Sequence, residues 1–147
     1  MAEQTQEKSG ITVKIVTPEG QIYDQSGAEI AVINTKGGQL GIMAGHEPIL
    51  AALSIDELVV KKDDQKRSLA VNGGVAEFSN NLLTVIADSA EIADDIDIDR
   101  AQNAKNRAQA RLEHAQEVKN QREIDMAHVA LMRAINRIHV GSVQGKR

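Results

Sequence analysis

The stretch Glu91-Ile-Ala-Asp-Asp-Ile-Asp-Ile-Asp-Arg-Ala101 divides this chain into two regimes. Before it, short β-branched and aliphatic runs are punctuated by glycine-bearing turns. After it, neither Gly nor Pro occurs until Gly141, and the apolar residues recur at helical spacing. Side chains alternate faces along a strand and wind around a helix, so a change of period from about two to about 3.6 is a change of architecture. Glu91, Asp94, Asp95 and Asp97 lead into the joint, and Asp99 directly precedes Arg100. Acids suit a helix start, where backbone N–H groups lack partners and the helix dipole favours negative charge. The spacing predicts a capped helix beginning here.

The first regime reads as strands. Ile11–Val16 alternates like a half-buried strand, and Thr17-Pro18-Glu19-Gly20 turns it. Gln21–Asp24 is short and extended, with Tyr23 against the core. Ala28–Asn34 is a β-branched run closed by Lys36-Gly37-Gly38. Asp56–Lys61 and Arg67–Val71 flank the polar hairpin loop 62–66. Asn72-Gly73-Gly74 is expected to turn into Val75–Phe78, and Ser79-Asn80-Asn81 into Leu82–Ala87. Short strands at this spacing indicate a β-sandwich or barrel, here over residues 11–94, behind a polar leader of residues 1–10.

The second regime, residues 95–140, carries two stripes: Ala101, Ala104, Ala108, Leu112, Ala115, and Ile124, Ala127, Leu131, Ala134, Ile138. Both are helical faces. The first is thin, because methyl groups bury little area and burial is worth ~25 cal/mol per Å². Two stripes predict an antiparallel helical hairpin turning near Asn120. No Gly or Pro enforces that turn, so one long helix is the alternative. Residues 141–147 form a basic tail.

Charge divides at the same joint. Residues 1–94 hold 7 Lys+Arg against 14 Asp+Glu, and residues 95–147 hold 10 against 7, so the first part is acidic and the arm basic. A basic arm suits an acidic partner surface or a phosphate-bearing ligand. It has no aromatic side chain on which single-stranded nucleic acid would stack. The only aromatics are Tyr23 and Phe78, so the core rests on aliphatics. Without cysteine there is neither a disulfide framework nor a thiolate zinc site, which fits a reducing compartment. Residues 1–10 lack an apolar segment of the secretory type, and no run approaches the ~18 apolar residues of a membrane span. The chain reads as soluble, docking at most on a membrane assembly.

Enzyme motifs are absent: no G-x-x-x-x-G-K-[ST], G-x-S-x-G or H-E-x-x-H occurs. His114, His128 and His139 would lie near one face of a continuous helix, but eleven residues at ~1.5 Å rise separate the last two by roughly 16 Å, too far for one metal. They read as surface histidines. The arginines are the sharper signal. Arg100 and Arg107 are seven apart and Arg133 and Arg137 four apart, so each pair shares a helix face. In a compact hairpin the four guanidiniums would converge, as phosphate recognition requires. The plain alternative is that they pair with acids on a solvated helix, for example Arg107 or Arg111 with Glu113. Likewise Gly37, Gly38 and Gly41 read as turn glycines, and His46-Glu47-Pro48 as an ordinary loop.

With these residues in view, the chain resembles the epsilon subunit of bacterial F-type ATP synthase. Three motifs carry the likeness: Gly38-Gln-Leu-Gly-Ile-Met-Ala-Gly-His-Glu-Pro48, Val71-Asn-Gly-Gly-Val75 and Ile96-Asp-Ile-Asp-Arg-Ala101, in one order over residues 11–140. The resemblance implies a flattened β-sandwich of about ten strands followed by a C-terminal helical hairpin, compact or extended. It implies a non-catalytic rotor subunit that couples proton-driven ring rotation to ATP synthesis and inhibits ATP hydrolysis through its helices. The implied partners are the gamma subunit, the ring of c-subunits and, through the arm, the catalytic beta and alpha subunits. No nucleic acid is implied, and the membrane is met only through the complex, at the cytoplasmic face of the bacterial cell membrane.

The family's Ile-Asp-x-x-Arg-Ala motif, matched by Ile96, Asp97, Arg100 and Ala101, binds ATP without hydrolysing it. Arg107, Arg133 and Arg137 match further arginines of that site, and Glu91 an acid near it. No cofactor is obligatory, a regulatory ATP is implied, and neither a metal nor a catalytic residue is. The face toward gamma and the c-ring would include Leu40, Gly41, Ile42, Met43, His46 and Pro48. The segment Glu117–Arg122 departs from the family's usual turn between the helices. Two other functions remain at this stage: a free-standing ATP sensor whose arm changes conformation, and an adaptor that grips partners through a coiled-coil hairpin.

Overall fold

The computed structural model describes residues 10–144. The leader residues 1–9 and the tail residues 145–147 lie outside the described residues. The chain forms two compact units, divided between Ala90 and Glu91.

The first unit is a β-sandwich built from one continuously hydrogen-bonded sheet. Its strands are β1 (Ile11–Thr17), β2 (Gly20–Ala28), β3 (Ile30–Thr35), β4 (Gly38–Ile42), β5 (Ile49–Lys62), β6 (Gln65–Ser79), β7 (Leu82–Ala87) and the short β8 (Ala90–Ile92), at which the chain passes into the second unit. They lie in the order β2-β1-β7-β6-β5-β3-β4, with β8 off this path. Among β1–β7 every pairing is antiparallel except β1 with β7. Strict alternation puts Ile11, Val13 and Ile15 of β1 inside, in a core that also holds Ile33, Leu58, Leu69, Leu83 and Val85, all essentially inaccessible to solvent. Phe78 is the one large aromatic in this core.

The strands number eight among the described residues, rather than about ten. Two sequence expectations account for the difference. Asn72-Gly73-Gly74 does not turn the chain: β6 runs unbroken for 15 residues alongside the 14 of β5. The glycines serve close approach instead. Gly73 and Gly74 hold φ of 87° and 135°, and a Cβ on Gly74 would collide with the Ile86 carbonyl of β7. Asn72 is fully buried, its amide Nδ2 donating to Ser89 Oγ at 2.9 Å and its backbone N–H to Ser89 O at 2.9 Å. Meanwhile Gly38–Ile42, read as a turn and loop, is a strand on β3, and β5 begins seven residues before the expected Asp56.

True turns occur where residues adopt left-handed backbone in pairs. Asp63-Asp64 and Asn80-Asn81 all have φ between 50° and 62°, the two-residue geometry that suits the twist of a hairpin.

The second unit opens with a single 3-10 turn (Ala93–Asp95), followed by α1 (Ile98–Glu117) and α2 (Gln121–Gln144). The helices form an antiparallel hairpin, not one long helix. Its turn needs no glycine. Lys119 takes φ 54°, so the N–H of Asn120 reaches Ala115 O at 3.1 Å and that of Lys119 reaches Gln116 O at 3.2 Å. This is the paired closure that ends helices with a left-handed residue. Asn120 then caps the next helix, its Oδ1 accepting from Glu123 N at 3.3 Å. α2 also continues through Gly141 into the residues read as a tail.

Candidate functional site

The second unit is held by a seam of small residues. Ala101, Ala108 and Ala115 of α1 are buried, as are Ala127, Ala134 and Gly141 of α2, each series at seven-residue spacing. A seven-residue repeat keeps one seam facing its partner along two supercoiled helices. Ala104 and Leu112, placed in the stripe by sequence, are half-buried at its margin, as are Ile124, Leu131 and Ile138. At Gly141 the approach is close: a Cβ there would lie 3.1 Å from Ile98 Cγ1 and 3.2 Å from Ile96 Cγ2.

Asp97 is the N-cap of α1. Its Oδ1 accepts from Arg100 N at 3.0 Å, and its backbone carbonyl accepts from Ala101 N at 3.0 Å. Ile96 lies half-buried beside Gly141 and Ala101 lies in the seam, so two of the four motif residues are packed. Arg100 and Arg107 are exposed. Arg137 is part-buried, its Nε donating to Glu91 Oε1 at 2.7 Å. Arg133 is half-buried, with its Nε sealed from solvent.

Arg111 pairs with Glu123 across the turn, Nη2 to Oε2 at 2.8 Å, not with Glu113. That contact sets the antiparallel register. Stepping back equally along both helices puts Arg100 level with Ala134, beside Arg133 and within a turn of Arg137. Arg107 falls level with Ala127, about two turns or ~10 Å further along. Three arginines and Glu91 therefore share one end of the hairpin, and Arg107 stands apart from them. Sequence reasoning missed Glu123 as a partner; a contact across a turn is invisible until the turn's location is known.

In the first unit, the segment singled out around residue 40 is divided by strand alternation. Ile42 is fully buried and Leu40 half-buried, whereas Gly41 and Met43 are exposed, Met43 at 56%. Pro48 is exposed. His46 packs its ring edge-on to Phe78 with centroids 5.8 Å apart, and its Nδ1 lies 2.7 Å from Glu47 O. The loop is pinned at Gly45, whose N–H donates to Asn81 Oδ1 at 2.9 Å. Beyond it, Leu50 is 75% exposed and Ile86 63%. No group of His, Asp and Glu among the described residues is placed to hold a metal ion, and no described helix is long and apolar enough to cross a membrane.

Comparison with known proteins covers both units. The family model described as ATP synthase, Delta/Epsilon chain, beta-sandwich domain matches residues 10–93, and that described as the long alpha-helix domain of the same chain matches residues 94–141. The ATP synthase epsilon chain of Pediococcus pentosaceus is 49% identical, over 91% of this chain and 96% of that protein. Those of Levilactobacillus brevis and Ligilactobacillus salivarius are 47% and 44% identical over similar spans. Among solved structures, a chain of the Euglena gracilis mitochondrial ATP synthase (OSCP/F1/c-ring) superposes with a TM-score of 0.73 at 19% identity, covering 95% of this chain and 82% of that one. That likeness is one of fold.

Proposed function

This chain belongs to the delta/epsilon family of ATP synthase subunits and is a non-catalytic epsilon subunit of the central stalk, and on that footing we propose that its helical hairpin is a regulatory arm held down by ATP. The β-sandwich then binds the gamma subunit and rests on the c-ring through the face that includes Gly41, Met43 and Pro48. The arm reaches the catalytic beta and alpha subunits when released. The protein works at the cytoplasmic face of the bacterial cell membrane, and its contact with the membrane runs through the complex alone.

The alanine–glycine seam carries this reading. Six small residues at seven-residue spacing let two helices come close while burying little apolar area, so the closed hairpin has a shallow free-energy minimum. Arg100, Arg133 and Arg137 gather at one end, where like charges repel even though acids such as Glu91 offset part of that. A bound polyphosphate removes the repulsion, which stabilises the closed arm by mass action. ATP would serve here as a ligand only, in keeping with a non-catalytic subunit.

The assembled enzyme tests this directly. Ending the chain at Asp94 is expected to raise ATP hydrolysis while leaving coupled synthesis largely intact. The basic arm's inhibition is expected to weaken with salt, because exposed charges are screened beyond a Debye length of ~10 Å at 0.1 M. Hydrolysis unchanged by the truncation would remove the regulatory role and leave one of assembly.

A further inference from the structure

The far end of the sandwich breaks the rule that inward positions are apolar. Tyr23 and Gln25 on β2 are paired with Ile15 and Val13, both fully buried, so they share the inward face. On the other side, Arg67 is paired with Val60 and Gln65 with Lys62 across the β5–β6 ladder, and Val60 is buried. Five polar side chains of these strands, with Asp63 of the hairpin turn as a sixth, therefore line one cleft of about 300 Å³ in the first unit, together with Val60.

The cleft is built rather than incidental. Lys62 Nζ donates to Ser26 O at 2.9 Å, which ties the end of β5 to β2 and holds the cleft's two sides together. The Tyr23 hydroxyl is sealed from solvent and has no hydrogen-bond partner, an uncommon state for a buried polar atom. Burial pushes its pKa up from 10.0, and Arg67 lies near enough to pull it partly back. The phenol is thus a protonated donor at neutral pH beside a permanent cation. Two cations, a phenol donor and two carboxamides suit a small group that carries only acceptors.

We propose that the cleft between β2 and the β5–β6 hairpin binds a small oxyanion, a phosphate or carboxylate group held by Arg67 and Lys62 and hydrogen-bonded by Tyr23 once its ring swings slightly out of the sealed position. Asp63 also lines the cleft and offsets part of its positive charge, so a singly or doubly charged group suits it better than a polyphosphate. All the residues of this site belong to the β-sandwich unit.

The protein carries its own reporter. Tyr23 is the only tyrosine and there is no tryptophan, so intrinsic fluorescence reads this cleft alone. The full-length protein is titrated with inorganic phosphate, with a short dicarboxylate, and with chloride at matched ionic strength. A saturable change in tyrosine emission with either oxyanion and none with chloride is expected. The oxyanion that responds identifies the headgroup. Arg67→Gln and Lys62→Gln should each weaken the response at least tenfold, and Lys61→Gln, an exposed neighbour on the opposite strand face, should leave it intact. Tyr23→Phe, followed by calorimetry, should bind more weakly but still saturably. No saturable response, or equal responses in wild type and both cation variants, would overturn the proposal. Circular dichroism confirms that each variant is folded, and Lys62→Gln decides the matter if Arg67→Gln is not.

Discussion

Arg137 donates its Nε to Glu91 Oε1 at 2.7 Å, joining a late turn of α2 to the residue with which the second unit begins. Both side chains are part-buried, the arginine 26% and the glutamate 37% exposed, so the pair is less screened than a surface one. It closes the hairpin's open end, while Arg111 with Glu123 closes the turn.

Losing that tie should fray the open end selectively. Arg137→Gln is expected to cost about 1 kcal/mol, the upper range for ion pairs still in reach of solvent. Amide exchange over residues 134–144 should speed up, whereas residues 101–115 change little. Uniform protection in the variant would show the pair to be passive.

Lys119 gives a second handle. A side chain in left-handed backbone costs roughly 1–2 kcal/mol, which glycine does not incur. Lys119→Gly should therefore stabilise the closed hairpin by up to about 1 kcal/mol, the gain reduced by glycine's greater freedom in the open chain. In the assembled enzyme it should weaken inhibition of hydrolysis. Stronger inhibition would mean that the closed hairpin is the inhibitory form.

In the β-sandwich the sensitive backbone position is Gly74. Its φ is 135° and Ile86 O occupies the place of a Cβ, so Gly74→Ala must push β6 off β7. The expected cost is several kcal/mol, seen as loss of sheet circular dichroism or a large fall in Tm. Gly20→Ala, at a φ of 125° but with open space around it, should cost less.

These two glycines show why the sequence was legible in part. Alternation located β1, β3 and β7, and the shift of period located the arm, because burial imposes those patterns on composition directly. Gly73-Gly74 reads like a turn because glycine is used both where a chain reverses and where backbones nearly touch; only β7's position tells them apart. The hairpin turn was the converse case, a left-handed residue whose identity, Lys119, carries no turn signal. The candidate arginines could be picked out one by one in the sequence, but their arrangement could not. The spacing puts Arg107 two turns from Arg100, but that Arg133 and Arg137 side with Arg100 follows only from the register set by Arg111 and Glu123.

Alkaline pH should expose the state of Tyr23. Its pKa is raised from 10.0 by burial, so the folded state keeps the phenolic proton where the unfolded chain begins to lose it. The stabilising contribution is fully present below pH 10.0 and is lost as pH rises through the folded value. A spectrophotometric titration should show one ionisation, above 10.0, and denaturant stability should decline over the same range. Tyr23→Phe should flatten that decline. Ionisation at or below 10.0 would place the phenol in water.

ATP binding to the arm is the prediction on which the regulatory reading depends. The hairpin is closed by a thin seam, so its equilibrium is sensitive to a ligand that binds the closed state alone. At a hundredfold excess over Kd such a ligand contributes ~2.7 kcal/mol, enough to reverse a marginal balance. Titration calorimetry on the whole protein should detect ATP binding. Arg100→Ala, an exposed position that packs against nothing in the seam, should weaken it by about tenfold, as for one lost charge-assisted hydrogen bond. Asp97 needs more care because its Oδ1 caps α1, and Asp97→Ala would cost about 1 kcal/mol of helix stability even without a nucleotide. Asp97→Asn keeps the capping oxygen, so any loss of ATP affinity there reports on recognition and not on folding. Arg107→Ala separates the two geometries of the site. If the phosphates sit among Arg100, Arg133 and Arg137, removing Arg107 changes affinity little; if the arm tightens to bring all four together, it costs as much as Arg100→Ala. Binding that is equal in wild type, Asp97→Asn and Arg100→Ala would remove ATP from this end of the hairpin.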